Sequence, residues 1–255
     1  MIGPGDVRLG PALNKTCMST TTRAGSFAER LRQLSESMTS IVSYPKRWNR
    51  CGDARYRGNC DGRLFLGLVL RYRPQSVADP MIGSGTTRDA IDWLNRKSGT
   101  SINYWGADLR TGFNLLKQDI PGQFDFVWIH PPYWNIIQYG DHPDDLSNVP
   151  EYADFRDALR VCLLRCMAAL NPGGRLAVLV GDVRRRGSYV PIVRDVLSLE
   201  GELGQLRSVI IKAQHNCHSD QVAYARMEDV PIQHEYCVVF KRIGSSMTTT
   251  SRKAA

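Results

Sequence analysis

The stretch SVADPMIGSGTTRDA, residues 76–90, decides the fold because it passes from a strand to a helix through a glycine loop. SVADP is typical of a buried strand end, and helical periodicity begins at Thr86. Gly83 and Gly85 allow positive φ angles and let a ligand approach the backbone closely. An ordinary tight turn uses the same glycines, so the loop alone does not identify a ligand.

Strand and helix patterns alternate downstream of this loop. Strand patterns follow at INYWGAD (102–108), FDFVWI (124–129) and RLAVLVGD (175–182), and helical patterns at 151–170 and 191–203. The last two strand patterns, 206–214 and 235–242, have no helix between them, which favours an antiparallel pair at one edge. The sequence therefore predicts an α/β fold with a mostly parallel sheet, helices on both faces and an antiparallel edge strand.

The composition predicts one folded domain between two polar ends: 1–25, 26–243 and 244–255. We expect both ends to be flexible, since they are aperiodic and rich in small polar residues. Ser26 and Glu29 form a capping-box pattern, and apolar residues at helical spacing predict a helix from there to Pro45. Residues 26–60 join this helix to a basic loop, and a short apolar helix follows.

The formal net charge of +8 favours a polyanionic partner, nucleic acid above all. Clusters such as Arg184-Arg185-Arg186 agree with this, although each is also typical of a solvated face. No apolar run approaches the ~20 residues that cross a bilayer, and no secretory signal is evident. Seven cysteines at irregular spacing, without a C-x-x-C pair, indicate reduced thiols in a cytoplasmic protein and no metal site.

Three carboxylates lie near the ends of successive strand patterns. Asp79 ends the first strand, Asp108 ends the next, and Asp119 lies just before the third. An acid about 25 residues beyond a glycine loop is placed to accept from a ribose diol, and the later one could accept from an adenine amine. The set therefore predicts an adenosine-containing cofactor. A phosphate-binding loop fits less well, because the lysine of G-x-x-x-x-G-K-[ST] is missing.

The motifs DPMIGSGTT, GAD and HPPYWNIIQYGD resemble those of S-adenosylmethionine-dependent DNA amino-methyltransferases, over roughly residues 45–242. The resemblance implies a Rossmann-like class I methyltransferase fold, S-adenosyl-L-methionine as cofactor and DNA as partner. It implies methyl transfer to N6 of a flipped-out adenine or N4 of a cytosine, as in restriction-modification. The implied cofactor-binding residues are Asp79, Pro80, Gly83, Gly85, Thr86, Asp108 and Asp119.

The same resemblance assigns the corner His130-Pro131-Pro132-Tyr133 to catalysis. Pro131 would offer its carbonyl to the target amine, and Tyr133 would stack on the flipped base. Trp134 either extends that platform or packs in the core. His215 and Asn216 are the candidates for a substrate loop. Arg57, Asn59 and Asp61 would enclose the methionine end of the cofactor.

His130 stands where the family usually has Asp, Asn or Ser. A neutral imidazole accepts one hydrogen bond, whereas an imidazolium accepts none. We therefore expect His130 to serve only as a neutral ring with its free nitrogen facing the amine, with activity declining as the pH falls through an ordinary value near ~6.5.

Short segments alone are available to recognise a target sequence, which leaves open a homodimer or a second specificity subunit. These segments are residues 26–60, 135–150 and 214–233. Two other functions stay open: an RNA base amino-methyltransferase, and a catalytically inactive nucleic-acid-binding subunit of the same fold.

Overall fold

The computed structural model describes residues 26–215 and 228–244. Within these ranges a seven-stranded sheet has the order β1-β8-β9-β5-β4-β2-β3, and a separate hairpin pairs β6 with β7. The strands are β1 Ile41–Ser43, β2 Ser76–Asp79, β3 Asn103–Gly106, β4 Phe124–Ile129, β5 Leu170–Val180, β6 Val183–Arg185, β7 Ser188–Val190, β8 Gln205–Ala213 and β9 His234–Lys241. The helices are α1 Phe27–Glu36, α2 Gly62–Tyr72, α3 Thr86–Ser98, α4 Tyr152–Ala168, α5 Ile192–Ser198 and α6 Glu200–Leu203.

The sheet is covered on both faces, which explains the near-continuous apolar run of β4. Phe126 and Trp128 pack towards α1, α2 and α3, whereas Val127 and Ile129 pack towards α4, α5 and α6. A strand buried on both sides needs apolar residues at every position rather than at alternate ones. The predicted Rossmann-like architecture is confirmed by this layering and by the parallel pairing of β2 with β3 and β4.

The antiparallel strand is β9, but it lies inside the sheet rather than at its edge. It pairs antiparallel with both β5 and β8, and β1 then adds in parallel to the far side of β8. The sequence did not predict β1, because its three residues fall within the helical spacing that continues towards Pro45.

The first helix ends at Glu36, nine residues before the predicted end at Pro45. The Ser26–Glu29 capping box is present as expected. Beyond the helix, the Thr39 hydroxyl accepts from the backbone N–H of Ile41 (3.2 Å), and the Ser40 carbonyl accepts from Ile211 of β8 (2.8 Å). Pairing with a distant strand therefore replaces a helical turn that the local pattern favoured.

Three smaller differences concern β5, the hairpin and the last helix pair. β5 begins at Leu170 and passes through Pro172-Gly173-Gly174 with a register shift, rather than starting after them. The hairpin turns at Arg186 and Gly187, which both have positive φ (49° and 82°). The predicted helix over 191–203 is divided into α5 and α6 at Leu199.

Candidate active site

A cavity of about 350 Å³ lies at the carboxyl ends of β2, β3 and β4. The end of β8 and the start of β9 lie on this same side of the sheet. Ligands of open α/β sheets bind at this edge, outside the carboxyl ends of the strands. The residues at the cavity wall include seven of the predicted site residues: Asp79, Pro80, Gly83, Thr86, Asp108, His130 and Pro132.

The glycine loop adopts the backbone that its glycines predicted. Gly83 and Gly85 have φ of 52° and 83°, and Gly85 is the N-cap of α3, which has no side-chain capping hydrogen bond. A Cβ at Gly83 would lie 3.3 Å from the ring of Tyr56, so a side chain there would crowd the cavity wall. The loop therefore keeps its backbone accessible to whatever occupies the cavity.

Asp79 organises this loop from within. Its buried carboxylate accepts hydrogen bonds from the Met81 backbone N–H (3.1 Å) and from the Thr87 hydroxyl (2.5 Å). Burial raises the pKa of Asp79 to about 7, outweighing these two hydrogen bonds, which act in the opposite direction. A cation placed in the cavity would favour its ionised form.

Asp108 reaches the cavity with both carboxylate oxygens already engaged. One oxygen accepts from the backbone N–H groups of Arg110 (3.0 Å) and Thr111 (3.1 Å), and the other pairs with the Arg110 guanidinium at 2.8 Å. Arg110 also donates to the Gly83 carbonyl and lies 5.1 Å from the centre of the Tyr56 ring. A diol that binds Asp108 would replace the side-chain hydrogen bonds of Arg110.

Asp119 does not belong to the cavity, contrary to the sequence-based expectation. Its side chain is 86% exposed and pairs with Arg165 on the surface. The backbone turns just before it, where the Asn114 carbonyl accepts from the N–H groups of Lys117 and Gln118. This turn directs Asp119 outwards and leaves Asn114 at the cavity wall instead.

The corner after β4 divides its residues between the cavity and the interior. His130 and Pro132 line the cavity, and Pro131 is buried. Tyr133 turns inwards: its hydroxyl lies 2.8 Å from His130 Nε2 and donates to Glu235 Oε1 at 2.8 Å. Its ring occupies the space beside Gly181, where a Cβ would come within 2.7 Å. In this arrangement Tyr133 is not at the cavity wall, and its predicted stacking on a flipped base stays a prediction.

Trp134 also points away from the cavity. It has a positive φ of 54°, donates from Nε1 to the Val149 carbonyl (2.9 Å) and meets Tyr152 edge to face at 5.4 Å. It lines a separate groove of about 750 Å³ together with Arg185, Arg186, Tyr189 and Arg194. Trp134 packs against the core in this structure, and its extension of a stacking platform stays a prediction.

Two tyrosines that the sequence reasoning missed line the cavity instead. Tyr56 and Tyr139 stack on each other with their ring centres 5.8 Å apart and an interplanar angle of 26°. They come from the two segments, 26–60 and 135–150, that were expected to recognise the target. Isolated tyrosines in polar loops carry no periodic signal, and only the fold brings these two together.

A buried ion pair was missed as well. Lys212 of β8 and Glu235 of β9 are cross-strand partners, with Nζ and Oε2 2.6 Å apart and both side chains about 10% exposed. The signal was a lysine within the apolar strand VIIKA and an acid directly before YCVVF. Burial acts to raise the pKa of Glu235, but the charge of Lys212, the His130 ring and the hydrogen bonds from Lys212 and Tyr133 together outweigh it. The pKa of Glu235 therefore lies below its usual value.

His130 is held neutral by its surroundings. Burial lowers the pKa of the imidazole to about 4; the Glu235 carboxylate opposes this shift, and the Lys212 ammonium adds to it. The ring can therefore accept a hydrogen bond at neutral pH, as the sequence reasoning required.

The remaining candidates are His215, Asn216, Arg57, Asn59 and Asp61. His215 Nε2 is 2.8 Å from the Ser43 hydroxyl, away from the cavity, and Asn216 lies outside the described residues. Asn59 lines the cavity and accepts from the Thr86 hydroxyl, whereas Asp61 caps α2. Arg57 is exposed and is not at the cavity wall.

Helix hydrophobicity and the cysteines concern the general class of the protein and not the chemistry of the cavity. Within the described ranges no helix is both long and apolar enough to cross a membrane. The five cysteines found there are buried and unpaired: Cys51, Cys60, Cys162, Cys166 and Cys237.

No family model matches this chain, and no curated protein matches it. Several solved structures are similar. A putative DNA modification methylase from Thermus thermophilus, complexed with S-adenosyl-L-methionine, is 25% identical with a TM-score of 0.36, over 54% of each chain. TrmN from the same organism is 18% identical with a TM-score of 0.38, over 73% of this chain and 50% of that one.

A third similar structure is the 1,6-didemethyltoxoflavin-N1-methyltransferase of Burkholderia thailandensis, solved with S-adenosylhomocysteine. It is 15% identical with a TM-score of 0.41, over 74% of this chain and 80% of that one. The present chain spans about half the length of the two Thermus proteins.

Proposed function

We propose that this chain is an S-adenosylmethionine-dependent methyltransferase that modifies the exocyclic amine of adenine (N6) or cytosine (N4) in DNA. The observation that carries the proposal is a single cavity with a glycine loop and Asp108 on its wall and the His130-Pro131-Pro132 corner beside them. The first pair suits an adenosine-containing cofactor, and the corner suits an amine that must be held by acceptors.

The residues at the cavity wall fit S-adenosylmethionine. The open backbone of Gly83 admits the nucleoside, Asp108 can accept from ribose hydroxyls, and the ionised form of Asp79 would be favoured by a nearby cation. When bound, this cofactor supplies an electrophilic methyl group on a sulfonium.

The corner supplies the acceptors that an aromatic amine needs. The lone pair of such an amine is delocalised into its ring, and two acceptors for the N–H groups draw the nitrogen towards a tetrahedral, nucleophilic form. Neutral His130 can be one acceptor and the Pro131 carbonyl the other, since the two prolines prevent the helix in which this carbonyl would be engaged. A base reaches this depth only outside its helix, and the rings of Tyr56 and Tyr139 offer it an aromatic wall.

A nucleic-acid substrate is supported by the groove beside the corner. The groove is lined by Arg185, Arg186 and Arg194 together with Tyr189, a residue that is 44% exposed. Trp134 lines it too and directly follows the catalytic corner in the chain. Guanidinium groups bind phosphates, and exposed rings stack on unpaired bases. Arg185 and Arg186, from the cluster that raised the expectation of a polyanionic partner, thus share this groove with Trp134.

The test is mass spectrometry of nucleosides after incubation of the full chain with labelled S-adenosylmethionine and either DNA or RNA. We expect N6-methyladenine or N4-methylcytosine in DNA. Methylation of RNA alone would identify an RNA base amino-methyltransferase. Cofactor binding without methylation of DNA or RNA would identify an inactive subunit.

The cofactor assignment has its own test in titration calorimetry. Asp108→Ala should weaken S-adenosylmethionine binding by about 1–3 kcal/mol, because the ribose hydroxyls lose a charged acceptor. Asp157→Ala, at an exposed carboxylate on α4, is the matched control and should bind as the parent does. Unchanged affinity in Asp108→Ala would remove Asp108 from the site.

A further inference from the structure

A line of polar side chains runs from the cavity, at the end of β4, to the end of β8 and the start of β9. His130 Nε2 lies 2.8 Å from the Tyr133 hydroxyl, which lies 2.8 Å from Glu235 Oε1. The second oxygen of Glu235 lies 2.6 Å from Lys212 Nζ. An amine acceptor needs none of the three residues behind His130, and an apolar packing would cost less desolvation.

The chemistry of the two inner groups sets the direction of every hydrogen bond. An ammonium can only donate, and an ionised carboxylate can only accept. The Tyr133 proton must therefore point to Glu235, which leaves the Tyr133 oxygen to accept from His130 Nε2. A neutral imidazole has one N–H, so that proton is on Nε2 and Nδ1 carries a free lone pair. Among the described residues Nδ1 has no hydrogen-bond partner.

We propose that Lys212 and Glu235 are positioning residues that act through Tyr133 to fix the tautomer of His130 with Nδ1 unprotonated. Nδ1 is then the acceptor for the target amine, so this inference rests on the proposed function. In the opposite tautomer an N–H on Nδ1 would face the N–H groups of the amine, and two donors would repel. An unprotonated Nδ1 favours bases that donate an N–H at this position over bases that present a carbonyl there.

Glu235→Gln should reverse the direction of these hydrogen bonds, and glutamine keeps nearly the shape of glutamate. Lys212 requires an acceptor, so the oxygen of the new amide should face it and the NH₂ group should face Tyr133. The Tyr133 oxygen then accepts from that NH₂ group, its proton turns to His130 Nε2, and the imidazole proton moves to Nδ1. We expect kcat to fall by about 100-fold, the scale of removing one preorganised hydrogen bond, while the Kd of S-adenosylmethionine stays within about twofold.

The decisive readout is nitrogen NMR of the chain labelled at its histidines, with the His130 signals assigned by their loss in His130→Asn. The parent should show an N–H on Nε2, and Glu235→Gln should show it on Nδ1. This measurement needs no turnover, so it stands even if the proposed function fails. An N–H on Nδ1 in the parent overturns the inference, as does unchanged kcat in a Glu235→Gln variant whose tautomer has switched.

Two further variants guard against a folding artefact. Glu202→Gln makes the same chemical change at an exposed ion pair with Arg160 and should leave both the tautomer and kcat unchanged. Tyr133→Phe keeps the Lys212–Glu235 pair and removes only the relay hydroxyl, so His130 should populate both tautomers with an intermediate kcat. A single Nε2–H tautomer in Tyr133→Phe would show that Tyr133 transmits nothing.

Discussion

At the scale of the residue, the burial of His130 changes the pH dependence that its residue type suggests. Protonation removes the lone pair on Nδ1, so activity is lost only as the pH falls through the pKa of the folded state. Because burial lowers that pKa to about 4, kcat should hold its plateau below pH 6 instead of declining near the ordinary value of ~6.5. Saturating both substrates over pH 4.5–8 and measuring kcat checks this; a midpoint at pH 6–7 would contradict it.

The two nitrogens of His130 can be tested separately by amides of different length. Asn places an acceptor where Nδ1 stands, whereas Gln reaches the position of Nε2 and leaves the cavity side without an acceptor. His130→Asn should therefore keep measurable methylation, and His130→Gln should lose about 100-fold in kcat. Steady-state kinetics measure kcat for the two variants. Equal kcat values would show that catalysis does not depend on an acceptor at the position of Nδ1.

His130→Asp, which the sequence alone suggests as the natural replacement, should perform worse than His130→Asn. A carboxylate there would lie beside the Tyr133–Glu235 hydrogen bond, close to an existing buried negative charge. Like charges in a buried site raise the pKa of one carboxyl, and a protonated acid loses an acceptor. The same rate measurements test this ranking.

At the scale of the element, β8 and β9 are joined by ladder hydrogen bonds and by the buried Lys212–Glu235 pair. Lys212→Met leaves Glu235 in the interior without its cation and should cost about 3–5 kcal/mol in the free energy of unfolding. Adding Glu235→Gln removes the uncompensated charge and should recover part of that loss. Chemical denaturation of the two variants measures both effects.

Lys97→Met, at an exposed lysine near the end of α3, is the matched control and should change stability by less than about 0.5 kcal/mol. If Lys212→Met is as stable as this control, the buried pair contributes nothing to the packing of β9, and its place in the sheet depends on the ladder alone.

At the scale of the whole molecule, the effect of the net charge of +8 on nucleic-acid binding depends on the positions of the arginines. If the groove beside the corner binds phosphates, nucleic-acid affinity should fall steeply with salt. Arg185→Gln/Arg186→Gln should reduce the slope of log affinity against log salt by about 1–2, roughly one for each arginine that no longer binds a phosphate. Fluorescence anisotropy with a labelled duplex, titrated at several salt concentrations, gives the slope.

The control for this charge change removes two exposed arginines far from the groove, in Arg96→Gln/Arg207→Gln. Arg96 lies at the end of α3 and Arg207 near the start of β8, both at the opposite edge of the sheet from the cavity. An equal reduction of slope in both double variants would mean that overall charge, and not the groove, attracts nucleic acid.

The sequence by itself determined those features that depend on residues close to each other in the chain. The capping box at Ser26 and Glu29 and the positive φ of Gly83 and Gly85 are local, because hydrogen bonds or steric limits within a few residues dictate them. The alternation of strand and helix patterns likewise predicted a mostly parallel sheet with helices on both faces.

Only the tertiary structure decided which side chains face the cavity, since contacts between residues far apart in sequence control those directions. Asp119 turns out to the surface, and Tyr133 turns in to Glu235, 102 residues away. Lys212 and Glu235 become partners through the register of β8 and β9, which no local pattern encodes. A motif names the residues at a strand end, but side-chain direction follows from burial and from hydrogen-bond partners that the folded chain brings within reach.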